Sequence, residues 1–269
     1  MKPVEIFHIG PQKSGTTWVY KCLKEHPEIA TPPKDSIHYF DMYYSKNRDW
    51  YMQHFSDAGS EQKLFDPTPS YIRSPLAPKR IYKENPDAKI ILCMRHPIER
   101  AFSHYWHEKK KEKYNFEFNE VLSNYDLFSS WIEPGFYAEH IEKYLNFFPH
   151  KQILCQKFDY LNENPRGFLK ELLDFIGVES NFEPTVLNKK VNAAGIKKGD
   201  KNKARIGMLI NKISPLNNKQ SGFSAKLSGK EEYLQGVPEE LYKELLEICI
   251  PEIERLEELL NLNLNHWKS

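Results

Sequence analysis

The stretch that follows the first apolar run combines residue types that hold a phosphate group. Four residues separate Gly10 from Gly15, which Thr16 and Thr17 follow. This is the glycine spacing of a P-loop with threonine in place of its lysine. The lysine lies inside the loop instead, as Lys13. Glycines let the backbone approach a ligand closely, and successive N–H groups at a helix N-terminus favour a phosphate. With the positive charge of Lys13, the stretch predicts an anion site.

The flanking residues predict the elements that position this loop. Residues 4–9 form an apolar, β-branched run that is typical of a buried strand. After the loop, Val19, Cys22 and Leu23 recur at helical spacing until Pro27 ends the pattern. A strand, a phosphate-binding turn and a helix therefore follow one another directly.

A second group of anion-binding residues follows the clearest buried strand, at 89–94. Arg95 comes directly after this strand, Pro97 marks a helix start, and Ser103 lies within that helix. An arginine fork with a hydroxyl suits a phosphate monoester, although an ion pair of Arg95 with a nearby carboxylate is the simpler alternative. Arg100 either adds to this site or is a solvated helix residue. An ATP enzyme would instead carry an Mg²⁺-binding acid at this strand end, so the pattern favours a nucleotide with two separate phosphates and no metal.

Strands alternate with helices along the chain, which predicts an α/β fold with an open, P-loop NTPase-like parallel sheet flanked by helices. We expect one domain over residues 1–269 with a helical C-terminal part at 238–262, kinked or split at Pro251. The segment 195–222 is rich in lysine, asparagine and glycine and is expected to be a mobile loop or lid. Ligands of such sheets bind at the carboxyl ends of the strands, so both anion sites are expected at one edge.

Composition argues against several classes of protein. The chain has 38 basic and 37 acidic residues and a net charge of +1, so it lacks the overall basic field of a nucleic-acid-binding protein. No apolar run approaches the about 18 residues that a membrane span needs. We expect neither a span nor a signal peptide. The four cysteines are far apart within apolar patterns, which favours buried thiols in a reducing compartment and a cytoplasmic protein.

The sequence around Lys13 resembles the 5′-phosphosulfate loop of sulfotransferases that use 3′-phosphoadenosine 5′-phosphosulfate (PAPS), and Arg95 with Ser103 resembles their 3′-phosphate motif. In the order and spacing of further segments, the chain is similar to the heparan sulfate 3-O-sulfotransferases and their bacterial relatives. The resemblance implies sulfuryl transfer from PAPS to a hydroxyl or amine of a saccharide or small-molecule acceptor, with adenosine 3′,5′-bisphosphate (PAP) as product and no metal. The segments that carry it are 11–18, 38–41, 50–51, 68–71 and 147–149.

This resemblance also implies roles for individual residues. Lys13 would contact the 5′-phosphosulfate and neutralise the bridging oxygen as the sulfuryl group leaves. Arg95 and Ser103 would hold the 3′-phosphate, while Trp18 would lie against the adenine or pack in the core. The residues expected to bind the 5′-phosphate are Ser14, Gly15, Thr16 and Thr17.

Two residues are candidates for the general base that deprotonates the acceptor. The heparan enzymes carry a glutamate two residues before the position that matches His38, and this chain has Ser36 there. Asp35 takes that role if the loop carries a one-residue insertion, and His38 is the other candidate. Pro67 stands where the heparan enzymes have a lysine, which weakens the case for heparan sulfate as the acceptor.

Two other functions are compatible with these residues. A small-molecule kinase of the P-loop class would turn over ATP with Mg²⁺, and the missing P-loop lysine argues against it. A non-catalytic nucleotide-binding protein of the same fold would bind PAP and transfer nothing.

Overall fold

A computed structural model describes residues 2–111, 116–189 and 236–269, and a parallel β-sheet lies at its centre. Within these residues five strands form one sheet, in the order β2-β3-β1-β4-β5, and every neighbouring pair is parallel. This confirms the predicted α/β class. The strands are β1 (Ile6–Gly10), β2 (Ile29–Ala30), β3 (Lys63–Asp66), β4 (Lys89–Met94) and β5 (Ile153–Lys157).

The central strand β1 is buried along its whole length because helices cover both faces of the sheet. Successive side chains of a strand point to opposite faces. Accordingly, Phe7 and Ile9 belong to one hydrophobic cluster and Ile6 to a second one. In register, Ile6 pairs with Phe65 on β3 and with Lys89 on β4.

The second cluster includes residues of the helices that follow β1 and β5. The first cluster includes residues of most of the other helices. A 3₁₀ turn at Phe118–Leu122 precedes a separate helix at Tyr125–Trp131. The helices of the described residues are α1 (Thr16–Glu25), α2 (Arg48–Met52), α3 (Ala77–Glu84), α4 (Pro97–Lys109), α5 (Tyr125–Trp131), α6 (Tyr137–Leu145), α7 (Phe158–Glu163), α8 (Pro165–Ile176) and α9 (Glu239–Leu260).

The C-terminal helix α9 continues through Pro251 and is not split there. Pro251 lies on its exposed side, where water can solvate the carbonyl that loses its hydrogen bond. On the other side, Leu245 and Ile253 are buried in the first cluster. The predicted loop at 195–222 lies outside the described residues.

All four cysteines are free thiols, and no helix of the described part of the chain is long and apolar enough to cross a membrane. Burial raises the pKa of the Cys155 and Cys249 thiols to about 12, so both are protonated at neutral pH. The cytoplasmic location stays a prediction from the sequence.

Candidate active site

The loop between β1 and α1 has a backbone that only glycine accommodates at its two ends. Gly10 has φ 110° and Gly15 has φ 91°, both in the left-handed region. Space is equally restrictive, since a Cβ atom on Gly10 would lie 1.9 Å from the carbonyl oxygen of Pro69, and one on Gly15 would lie 2.9 Å from the Leu161 side chain. The glycine spacing noted in the sequence therefore reflects both the turn and the close packing around it.

A cleft of about 830 Å³ opens at the carboxyl ends of the strands, with lining residues that follow β1, β3, β4 and β5. The two predicted anion sites both contribute to its lining, as expected for a parallel sheet. Asp35, one of the two candidate bases, lines it as well. The predicted donor-site residues in the lining are Lys13, Gly15, Thr16, Thr17, Trp18, Arg95 and Ser103.

The cleft is locally basic although the chain is almost neutral overall. Burial, followed by the charges of Arg95, Lys110 and Lys111, lowers the pKa of Lys13 to about 8. Lys13 also has a positive φ of 76°, a conformation that residues other than glycine adopt rarely. A bound anion would relieve the repulsion among these cations.

Arg95 is fixed at the end of β4 by several contacts. Its backbone N–H donates to Tyr137 Oη (3.1 Å), and that hydroxyl donates to the Arg95 carbonyl (2.7 Å). The guanidinium lies 5.2 Å from the ring centroid of Phe158 and pairs with Glu99 Oε2 at 3.0 Å. The ion pair weighed in the sequence analysis is therefore present, yet Arg95 still lines the cleft.

Arg100 has a different place from either alternative considered in the sequence. It is fully buried, and burial lowers its pKa to about 10. Its guanidinium donates to the carbonyl of Trp131 and, at 3.5 Å, to the carbonyl of Gln12 in the loop after β1. Arg100 thus links α4 to the loop that carries Lys13.

The two candidate bases lie in different surroundings. Asp35 is exposed at the cleft, whereas His38 is not among the lining residues. His38 Nδ1 lies 3.3 Å from Asp41 Oδ2 and 2.9 Å from Ser70 Oγ. The hydrogen bond with Asp41 raises the pKa of His38, because it stabilises the charged form of the imidazole.

Two predicted donor-site residues are deeply buried. Ser14 is fully buried and does not line the cleft, so a role in binding the 5′-phosphate stays a prediction. Trp18 is only 5% exposed and packs edge-to-face on Phe168, with ring centroids 5.9 Å apart. Trp18 packs in the core and also lines the cleft, so its contact with the adenine stays a prediction.

The second half of α4 and the turn after it supply lining residues that the sequence did not assign to the site. They recur three or four positions apart after Ser103, a helical spacing that signals one shared face. Within this set, His104 Nε2 lies 3.7 Å from Glu108 Oε1. No group of metal-binding side chains occurs in the described residues. The added residues are His104, His107, Glu108 and Lys111.

The family model described as sulfotransferase domain matches residues 3–256, so the chain belongs to this family. Human bifunctional heparan sulfate N-deacetylase/N-sulfotransferase 3 is 35% identical over 193 residues, which cover 65% of this chain and 22% of that protein. Human heparan sulfate glucosamine 3-O-sulfotransferase 3B1 is 32% identical over 178 residues, covering 64% of this chain and 45% of that protein. The chain thus spans less than half the length of these curated relatives.

A solved sulfotransferase from Alicyclobacillus acidocaldarius has the same fold. The two structures match with a TM-score of 0.75 over 100% of both chains, at 22% sequence identity. Sulfotransferases have the P-loop NTPase-like fold, which confirms that part of the fold prediction. The sulfuryl donor of the family is PAPS.

Proposed function

We propose that this chain is a sulfotransferase that transfers the sulfuryl group of PAPS to a hydroxyl or amine of a saccharide or small-molecule acceptor and releases PAP. The observation that carries the proposal is that Lys13 and Arg95, which follow different strands, line one cleft together with the Asp35 carboxylate. A bisphosphorylated nucleotide needs cations at two separate places, and an acceptor hydroxyl needs a base beside the transfer centre.

The residues of the cleft fit such a donor. Lys13 and the first turn of α1, which has no side-chain cap, are suited to the 5′ end. Arg95 and Ser103 are suited to the 3′-phosphate, since a guanidinium fork and a hydroxyl both donate to phosphate oxygens. When bound, PAPS supplies an activated sulfuryl group. The role of Lys13 is to stabilise the negative charge that develops on the leaving oxygen.

Asp35 is the better candidate for the general base. The acceptor oxygen forms a bond to sulfur while the bond from sulfur to the bridging oxygen breaks, and the acceptor proton passes to Asp35. His38 suits this role less, because it does not line the cleft and its Nδ1 already contacts Asp41 and Ser70.

The class of acceptor is proposed from the relatives. Both human relatives described above are named for heparan sulfate, which favours a saccharide. Pro67, which lines the cleft, stands where the heparan enzymes carry a lysine, so a different saccharide or a small molecule is the better expectation.

Transfer of sulfur-labelled PAPS to a panel of saccharides and small hydroxyl and amine compounds tests the proposal. We expect a labelled product in the presence of a chelator, together with a higher melting temperature in PAP, because a ligand of the native state stabilises it. ATP turnover that needs Mg²⁺ would identify a kinase instead. Binding of PAP without transfer to any acceptor would identify a nucleotide-binding protein that has lost catalysis.

A further inference from the structure

The end of β3 carries a buried carboxylate with several hydrogen-bond donors around it. Asp66 is fully buried and accepts hydrogen bonds from the hydroxyls of Tyr51 (2.9 Å), Tyr71 (2.9 Å) and Thr68 (2.5 Å). The backbone N–H of Thr68 adds another at 3.1 Å. Burial raises the pKa of Asp66 to about 6, and the hydrogen bonds from Thr68, Tyr71 and Tyr51 oppose this rise.

Two of these three hydroxyls also contact the segment that carries both candidate bases. Each hydroxyl has one proton and two lone pairs. Because the hydroxyls of Thr68 and Tyr71 give their protons to Asp66, their lone pairs are left to accept hydrogen bonds from the 35–41 segment. These acceptor contacts join Thr68 Oγ1 to the backbone N of Ile37 (2.9 Å) and His38 (3.3 Å), and Tyr71 Oη to the backbone N of Tyr39 (3.0 Å) and Phe40 (3.3 Å).

The side chain of Asp35 has no comparable support of its own. It is exposed, and it forms no hydrogen bond with the part of the chain that the structure describes. Its place at the cleft is therefore set by the backbone of the segment that follows it. That backbone is fixed at four consecutive N–H groups, all of which bond to hydroxyls that donate to Asp66.

We propose that Asp66 is a positioning residue that orients the hydroxyls of Thr68 and Tyr71, which hold the 35–41 segment so that Asp35 faces the cleft. The part that concerns Asp35 rests on the proposed sulfotransferase function. The mechanical part of the proposal is that two oriented hydroxyls hold the backbone of the 35–41 segment in place. This part does not depend on the proposed function.

Tyr51 provides a matched control within the same cluster. Its hydroxyl donates to Asp66 at the same distance as that of Tyr71, and both side chains are fully buried. Unlike Tyr71, it has no hydrogen bond to the backbone of the segment, and its ring stacks on Tyr39 with centroids 4.5 Å apart. Tyr51→Phe therefore removes a hydrogen bond from Asp66 while it leaves the stacking and the segment's contacts in place.

The experiment compares Thr68→Val and Tyr71→Phe with Thr68→Ser and Tyr51→Phe in the full chain. The first two variants should lower kcat about 100-fold, because a small misplacement of a catalytic group is costly, and should leave the affinity for PAP unchanged. Thr68→Ser keeps the hydroxyl and should restore turnover, and Tyr51→Phe should retain it. A purely structural defect would not separate kcat from PAP binding in this way.

Amide hydrogen exchange of residues 37–40 tests the mechanical part without any activity assay. Exchange there should be faster in Thr68→Val and Tyr71→Phe than in Tyr51→Phe and Thr68→Ser. Equal exchange in all four variants would overturn the proposal, and faster exchange with normal kcat would overturn the link to Asp35.

If the unmodified protein neither binds PAP nor transfers sulfuryl, the proposed function fails while the exchange result still decides the mechanical part. Should Thr68→Val fail to fold, Tyr71→Phe carries the comparison alone.

Discussion

Two walls of the cleft differ in the sequence separation of the residues that stabilise them. The donor wall, residues 10–18 with 95–103, takes its shape from a turn whose glycines lie in the left-handed region and from helices that follow strands after short connections. The acceptor wall consists of Asp35 and Ser36, and the residues that follow them, 37–41, are held by partners far along the chain, such as Thr68 for the N–H of Ile37, 31 positions away. The glycine turn of the donor wall is thus encoded locally, whereas the backbone of the 35–41 segment depends on tertiary contacts.

The largest effect should come from the donor wall. Lys13→Ala should reduce kcat by about 1,000-fold, or about 4 kcal/mol, because it removes the cation beside the leaving oxygen. Transfer from labelled PAPS measures this loss. Lys21→Ala, an exposed lysine on α1, is the control and should behave like the unmodified protein. Normal turnover by Lys13→Ala would contradict the role given to this residue.

On the acceptor wall, Asp35→Asn should reduce kcat about 100-fold, because general-base catalysis contributes on this scale, while PAP affinity stays unchanged. His38→Gln should have a smaller effect, since His38 does not line the cleft. Single-turnover rates with saturating PAPS compare the two. The reverse order would make His38 the base.

The pH dependence of kcat/KM tests the charge state of Lys13. With a pKa of about 8, Lys13 is charged below this value and loses its proton as the pH rises through it. We therefore expect kcat/KM to fall about tenfold per pH unit above pH 8. In Lys13→Arg the residual activity should keep its level across this range, since arginine stays protonated. An alkaline fall of the same shape in that variant would assign the titration to another group.

The smallest effect concerns the ion pair of Arg95. Glu99 is 59% exposed and competes with a bound phosphate for the guanidinium. Glu99→Gln should tighten PAP binding about twofold, the scale of a surface pair at this helical spacing. Titration calorimetry at low salt measures it. Glu139→Gln, which removes an exposed carboxylate that pairs with Lys143 on α6, is the control with no expected change.

The donor wall was predictable because each part carries a local signal. The glycine spacing indicates the turn, the apolar runs indicate β1 and β4, and the rule for parallel sheets brings the ends of both strands to one edge. Arg95 and Lys13 therefore line one cleft, as the sequence indicated.

The other features of the site depend on contacts between residues that are distant in the sequence. The sequence does not indicate that Arg100 is buried against the loop carbonyl of Gln12. Nor does it indicate that three hydroxyls donate hydrogen bonds to Asp66. The choice between Asp35 and His38 has the same origin, because the pairing of His38 with Asp41 and Ser70 depends on the tertiary path of the segment.

The central claim, that one cleft binds both ends of a bisphosphorylated adenosine, is tested most directly by the affinities of PAP and adenosine 5′-phosphate in two proteins. The unmodified chain should bind PAP about 100-fold more tightly, since a charge-assisted phosphate contact contributes about 3 kcal/mol. Arg95→Ala should lose most of this preference while its affinity for adenosine 5′-phosphate stays the same. Equal weakening of both ligands, or no preference in the unmodified chain, would contradict the account.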